Sequence, residues 1–357
     1  MSSVPDTIEL YCRAAKEYKA SDLILQSGEP PVLRVSGGVT SLEAPCITAG
    51  DLGAFRDSCG VPPGATDHDA SFLSKEGVRF RVNFHRILGK EGAVLRRINT
   101  SPPDLDSLGV PSGLLRTMVQ RRSGILIVSG PTGSGKSTTL ASLLDWVNRN
   151  LQRHIVTIED PVEFVFEREK SVFTQRAIGL DTSNFAEGLR RALRQAPDII
   201  LVGEIRDAET ASVALQAAET GHLVMATLHS SDVSEVIERL EAFFPENERK
   251  GLLQVLSGQL LFVLCQKLLP SLDGGRVLAC EYLTNVGLSR QCILRGDIPE
   301  LRDHIAKCDP TETSDFLRSF QRLVADHAID PEVAFQACPN PAELRRRLRG
   351  ISSSFTS

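Results

Sequence analysis

No segment of this 357-residue chain stays apolar for the ~20 residues that a membrane-crossing helix requires. Its first residues, Asp6 and Glu9 among them, lack the basic start and apolar middle of a secretory signal. A cytoplasmic protein is the expectation. The eight cysteines (12, 46, 59, 265, 280, 292, 308 and 338) stand singly, with no Cys-x-x-Cys pair, so neither zinc spacing nor a disulfide framework is indicated. They are expected to be reduced, several as small core residues. Neither sign of charge prevails: the formal net charge is −5, and nothing global points to nucleic acid or an acidic membrane surface. What is present suits a globular protein, 41% hydrophobic and 24% charged. At ~100–200 residues per domain the length admits roughly two or three domains.

The most informative segment is Gly130-Pro131-Thr132-Gly133-Ser134-Gly135-Lys136-Ser137, with Thr138 next. An apolar run, Ile125-Leu126-Ile127-Val128, precedes it and an amphipathic stretch over 138–147 follows it. Strand, glycine-rich loop and helix in that order bind a nucleoside triphosphate. The glycines let backbone N–H groups converge on phosphate oxygens, and the helix N-terminus adds its positive dipole end. Lys136 reaches the β/γ-phosphates, and the Ser137 hydroxyl is offered to Mg²⁺.

The chain divides near residue 110. Before it, residues 22–25, 31–35, 78–84 and 92–98 read as strands, the third by strict alternation, which predicts a small α+β domain on a mainly antiparallel sheet. Asn99-Thr100-Ser101-Pro102-Pro103-Asp104 reads as a stiff linker. After it, strands expected at 125–129, 154–158, 199–202 and 223–227 alternate with helices expected at 185–194 and 208–219, which predicts a parallel α/β sheet. Functional groups in such a sheet collect at the carboxyl ends of its strands. The strand at 154–158 runs into Glu159-Asp160-Pro161-Val162-Glu163, which offers a general base or part of a Mg²⁺ shell; the strand at 199–202 runs into Gly203-Glu204, a carboxylate for Mg²⁺ and water. His222 and His229 bracket the strand at 223–227, placed to sense a γ-phosphate or to link it to a neighbouring subunit. The basic run Arg345-Arg346-Arg347-Leu348-Arg349 is read as last-turn arginines that complement a helix dipole, not as a nucleic-acid contact.

Four segments in this order, the glycine-rich loop, Thr157-Ile158-Glu159-Asp160-Pro161-Val162-Glu163-Phe164, Pro197-Asp198-Ile199-Ile200-Leu201-Val202-Gly203-Glu204-Ile205-Arg206-Asp207 and Ala217-Ala218-Glu219-Thr220-Gly221-His222, resemble the Walker A, Asp box, Walker B and His box of the secretion ATPases of type II secretion and type IV pili. With Ala20-Ser21-Asp22-Leu23, Arg79-Phe80-Arg81-Val82-Asn83, Gly92-Ala93-Val94-Leu95-Arg96 and Gly274-Gly275-Arg276-Val277, nearly the whole chain resembles the PilT/PilU retraction ATPases. The resemblance implies a PAS-like N-terminal domain (1–100), a linker (101–112), a RecA-like P-loop ATPase core (113–270) and a mostly helical C-terminal portion (271–357). It implies a homo-hexamer that hydrolyses ATP with Mg²⁺ and acts on an inner-membrane pilus platform protein at the cytoplasmic face, driving pilus retraction and twitching motility, with no nucleic acid bound.

By the same resemblance, Thr132 to Thr138 bind nucleotide, Ser137 and Glu204 serve Mg²⁺, and Glu163 is the base, with Glu159 the alternative. His222 and His229 form the His-box pair, and Arg81 and Arg96 reach into a neighbour's site. The chain departs from PilT where an Ala-Ile-Arg-Asn-Leu-Ile segment needed for retraction is replaced by Leu288-Ser289-Arg290-Gln291-Cys292-Ile293. Gln266-Lys267-Leu268-Leu269-Pro270 and Asn340-Pro341-Ala342-Glu343-Leu344-Arg345 look closer to PilU, which implies an accessory motor beside a second retraction ATPase. The alternatives are a secretion or DNA-uptake motor of the same superfamily and a regulatory nucleotide-binding ring.

Overall fold

Alternation along the segment Arg79–Ile87, with Phe80, Val82 and Phe84 buried and Arg79, Arg81 and Asn83 on the other face, makes it a half-buried strand and sets the plan of the N-terminal unit. The computed structural model describes residues 4–35, 37–62, 64–98 and 102–349. Asn99, Thr100 and Ser101, at the head of the expected linker, and the tail 350–357 lie outside the described residues. The chain divides into two units, 1–100 with 163–165, and 101–162 with 166–357.

The first unit runs α1 (Asp6–Glu17), β1 (Asp22–Gln26), β2 (Val32–Val35), β3 (Gly38–Ser41), α2 (Ala49–Ser58), β4 (His68–Leu73), β5 (Arg79–Ile87) and β6 (Lys90–Arg97). Its six strands form one antiparallel sheet in the order β3-β2-β1-β6-β5-β4. Ile8, Tyr11, Cys12 and Ala15 of α1 and Leu52 and Phe55 of α2 pack with the inward residues of the strands, and Phe55 lies edge-on to Phe72 at 5.0 Å between ring centres. The opposite face carries a charged row. Arg34 and Arg96 flank Asp22 in register, and Arg81 stands directly opposite Arg96.

The second unit runs α3 (Ser112–Met118), β7 (Gly124–Ser129), α4 (Lys136–Asn150), β8 (His154–Glu159), β9 (Val172–Ala177), α5 (Phe185–Ala192), β10 (Ile199–Val202), α6 (Ala208–Glu219), β11 (Leu223–Leu228), α7 (Val233–Ala242), α8 (Glu246–Gln259), β12 (Leu260–Pro270), β13 (Arg276–Thr284), α9 (Leu288–Arg295), α10 (Ile298–Lys307), β14 (Thr313–Ser314), α11 (Phe316–Ala325), α12 (Pro331–Ala337) and α13 (Pro341–Leu348). The eight-stranded order is β14-β13-β12-β7-β11-β10-β8-β9; the strands from β12 to β9 are parallel, and β13 and β14 turn antiparallel. The central strands are buried on both faces, which explains their unbroken apolar runs. Ile125 and Ile127 of β7 belong to one core, shared with α5 to α8 and the C-terminal helices; Leu126 and Val128 belong to the other, under α3 and α4. The expected division at 270 falls at the turn of the β12–β13 hairpin.

Candidate functional site

Every residue of β7 is buried, and after Ser129 the chain enters a loop that glycine alone permits. Gly130 has φ 143, and a Cβ there would lie 2.4 Å from Gln266 O and 2.7 Å from Ser134 Oγ. Gly133 and Gly135 have φ 79 and 93, in the left-handed region, with no atom within 4 Å of where a Cβ would stand, so this stretch of the loop is an open cradle. The hydroxyl of Ser134 is buried in the loop without a hydrogen-bond partner. Helix α4 begins at Lys136 with no side-chain cap, the arrangement by which helix N-termini receive phosphate. Thr132 is exposed, and Ser137 and Thr138 are half-buried in the first turn. These residues suit a bound triphosphate with Mg²⁺, which takes few protein ligands beside phosphate oxygens and water; among the described residues no group of three or more His, Cys, Asp or Glu side chains forms a metal cage of its own.

A line of charged groups leads away from the loop. The ammonium of Lys136, buried, donates to Gly130 O at 2.7 Å and Pro131 O at 3.0 Å, and stands 3.5 Å from His229 Nδ1. On the far side of the ring, His229 Nε2 lies 3.2 Å from Glu204 Oε1. An ammonium has only protons to give, so Nδ1 accepts and Nε2–H donates to the carboxylate. The other oxygen of Glu204 accepts from Arg206 Nε at 2.6 Å, and Arg206 Nη1 reaches Asp160 Oδ2 at 3.4 Å. Lys136, His229, Glu204, Arg206 and Asp160 thus form a continuous sequence of alternating donors and acceptors across the carboxyl ends of the parallel strands. Glu159 ends β8 and accepts from Thr157 Oγ1 at 2.6 Å. Gly203 keeps β10 close to it: a Cβ there would meet Ile158 O at 3.0 Å.

His222 does not join this site within the chain. It precedes β11 whereas His229 follows it, so the rise of the strand, ~3.3 Å per residue, sets them roughly 20 Å apart. His222 Nδ1 lies 3.1 Å from Ala217 O and closes the end of α6, and its carbonyl pairs with Gly124 N at the opposite edge of the sheet from the loop. Of the pair expected to sense a γ-phosphate or to link it to a neighbouring subunit, His229 therefore stands at the loop and His222 at the other end of the same strand.

Glu163 is exposed on the irregular segment after β8 and groups with the first unit; the charged line of the second unit is built without it. In the first unit, Arg81 Nη2 pairs with Asp69 at 3.0 Å and Arg96 Nε with Asp22 at 2.8 Å. Like charges directly opposite on neighbouring strands are unfavourable, and these two acids are what make the pair tolerable. Asp160 is one of the three carboxylates expected after β8, but its pairing with Arg206, and that of Arg206 with Glu204, have no signal in the sequence. The C-terminal arginines are taken up internally: Arg345 lies over Phe335, Arg346 pairs with Glu343, and Arg347 pairs with Glu343 and Asp315.

Residues 69–290 match the family model described as "Type II/IV secretion system protein". The chain is similar to the type IV pilus ATPase PilU of Pseudomonas aeruginosa, 34% identical over 97% of this chain and 92% of that protein. It is similar also to the type IV pilus retraction ATPase PilT of the same organism, 40% identical over 83% of this chain and 87% of that protein. A crystal structure of the pilus retraction motor PilT with bound ADP superimposes with a TM-score of 0.86 at 37% identity, covering 95% of this chain and 99% of that one.

Proposed function

The chain belongs to the type II/IV secretion system protein family, and we propose that within it the chain works as a magnesium-dependent ATPase, assembled as a hexamer, that drives type IV pilus retraction. The observation that carries the reading is the open glycine cradle joined through Lys136 and His229 to Glu204. In this reading residues 132–138 hold the triphosphate. Two backbone carbonyls satisfy the Lys136 ammonium in the present arrangement, and a β/γ-phosphate offers it a stronger, charged acceptor. Ser137 and Glu204 would hold Mg²⁺, which when bound would supply positive charge against the phosphate oxygens. Glu163 takes the proton of the attacking water, and Arg81 and Arg96 come from a neighbouring copy. No helix among the described residues is long and apolar enough to cross a membrane; in this reading the ring meets the membrane through a pilus platform protein at its cytoplasmic face.

An accessory role beside a second retraction ATPase is favoured by two observations. The similarity to PilU extends over 97% of the chain and that to PilT over 83%. Within α9, Arg290 and Ile293 match the PilT segment; of its four departures Leu288 and Gln291 are exposed and Ser289 and Cys292 are buried, so the outward face and the packing beneath it both differ.

The test compares purified variants. Glu204→Gln keeps ATP binding and loses most turnover, by ~10²-fold or more if it positions metal and water. Lys136→Ala loses binding as well. Mixing inactive Arg81→Ala with inactive Glu204→Gln subunits restores activity only if the two residues serve a site from different copies. Wild-type hydrolysis by both single-site variants overturns the site assignment; no recovery on mixing overturns the shared site.

A further inference from the structure

Ser129 is fully buried, and its hydroxyl makes two hydrogen bonds to one residue far along the chain: Oγ donates to Ser230 O at 2.8 Å and accepts from Ser230 N at 2.8 Å. Ser230 is buried too and directly follows His229. The parallel ladder between β7 and β11 ends at the pair Ser129 and Leu228. The hydroxyl therefore supplies one more rung, a side chain standing in for the strand's backbone, and His229 is the single residue between the last true rung and this staple. Its backbone is held further by Arg239, whose Nη1 donates to His229 O at 3.4 Å. On the other side, Ser129 is joined by one peptide bond to Gly130, whose carbonyl accepts from Lys136. One hydroxyl thus ties the root of the phosphate loop to the histidine that stands between Lys136 and Glu204.

We propose that Ser129 is a positioning residue for ATP hydrolysis: it holds His229 so that Nδ1 faces Lys136 while Nε2 faces Glu204, and the state of the loop is felt at the Walker B carboxylate. Ser129 touches neither phosphate nor metal in this scheme; it acts through His229. The inference rests on the reading of Lys136, His229 and Glu204 as the hydrolytic site.

The experiment uses the full chain with Ser129→Ala, the isosteric pair Ser129→Thr and Ser129→Val, and His229→Ala. For each, kcat and KM for ATP, affinity for Mg-ADP and thermal midpoint are measured. Loss of a buried hydroxyl with two partners is expected to lower kcat by ~10- to 100-fold in the Ala and Val variants, with KM and ADP affinity held within ~3-fold. Thr, which keeps the hydroxyl, retains a rate at least ~10-fold above Val, whatever the added methyl costs both. A Ser129→Ala enzyme at the wild-type kcat overturns the inference, as does equal damage in Thr and Val, or a loss of ADP affinity in step with kcat. If His229→Ala itself hydrolyses normally, the reading of the site fails; if His229→Ala is inactive and Ser129→Ala is not, only the role of Ser129 fails.

Discussion

Replacing Glu281 by glutamine should change how stability depends on pH, by an amount that follows from the environment of this carboxylate. Glu281, on β13, is partly buried and bridges the first amides of two helices: Oε1 accepts from Val233 N of α7 at 2.9 Å and Oε2 from Phe316 N of α11 at 3.3 Å. Removal from water pushes its carboxyl up to about 7, against the Val233 amide and with repulsion from Asp232 adding to the rise; the Phe316 amide and Asp315 repeat the same opposition more weakly. In the unfolded chain the group titrates near 4.5. Between those values the folded protein holds a proton that the unfolded chain has released, so the contribution is complete below 4.5 and is lost as pH rises through about 7. The interval corresponds to roughly 3 kcal/mol. Glutamine has no proton to lose and removes the slope. It also offers one acceptor oxygen to two N–H donors, so it begins from lower stability in acid. Urea unfolding of both proteins from about pH 5 to about pH 8 tests this, with the histidines common to both cancelling in the difference. Wild type should lose up to ~3 kcal/mol relative to the variant across that range. Parallel curves refute the reasoning.

Gly130→Ala should abolish tight nucleotide binding and destabilise the second unit by ~2–4 kcal/mol, because its Cβ would collide with Gln266 O at 2.4 Å; titration with a fluorescent ADP analogue reads the first effect and thermal unfolding the second, and normal binding would show that the loop can shift away from β12. Leu88, 99% exposed at the β5–β6 turn with φ 48, occupies a left-handed position that asparagine tolerates better. Leu88→Asn should raise the stability of the first unit by ~0.5–1 kcal/mol; a lower thermal midpoint would contradict this.

The parts of the fold that the sequence made legible are those where one physical signal dominated. Strands β7, β8, β10 and β11 are short apolar runs closed by polar punctuation, and α6 stands where its periodicity placed it, Ala208–Glu219. The expected α+β character of the first unit and α/β character of the second are what the structure has. The extent of the second sheet was not foreseen. Leu260–Pro270 is a long apolar run, equally compatible with a buried helix, and it becomes a strand by pairing with β7 and Arg276–Thr284, a partner distant in sequence and one adjacent. Val172–Ala177 carries Thr174, Gln175 and Arg176 with little alternation, and is a strand because it has β8 to lean on. In the site, the loop was legible because its glycines, lysine and serine are bound to fixed positions. The link from Lys136 through His229 to Glu204 was not, since residues separated by 93 positions meet only when the strand order puts β11 beside β7.

The arginines separate these two kinds of information most clearly. Arg345, Arg346 and Arg347 are the strongest basic run in the chain, yet each has a ring or a carboxylate of its own at the C-terminal helices, so as placed in the structure the run is intramolecular. Arg34 carries no signal of its own in sequence, and Arg81 and Arg96 are singled out there only by the family resemblance; the antiparallel register lines all three up on one open face of the first unit's sheet. There Asp22, largely buried, is shared by Arg34 at 3.7 Å and Arg96 at 2.8 Å, while Arg81 and Arg96 face each other directly. Two guanidinium groups set opposite one another repel, and a polyphosphate brought between them would relieve that repulsion as well as gain its own ion pairs. That is the reason for keeping Arg81 and Arg96, and not the C-terminal cluster, in the proposed shared site.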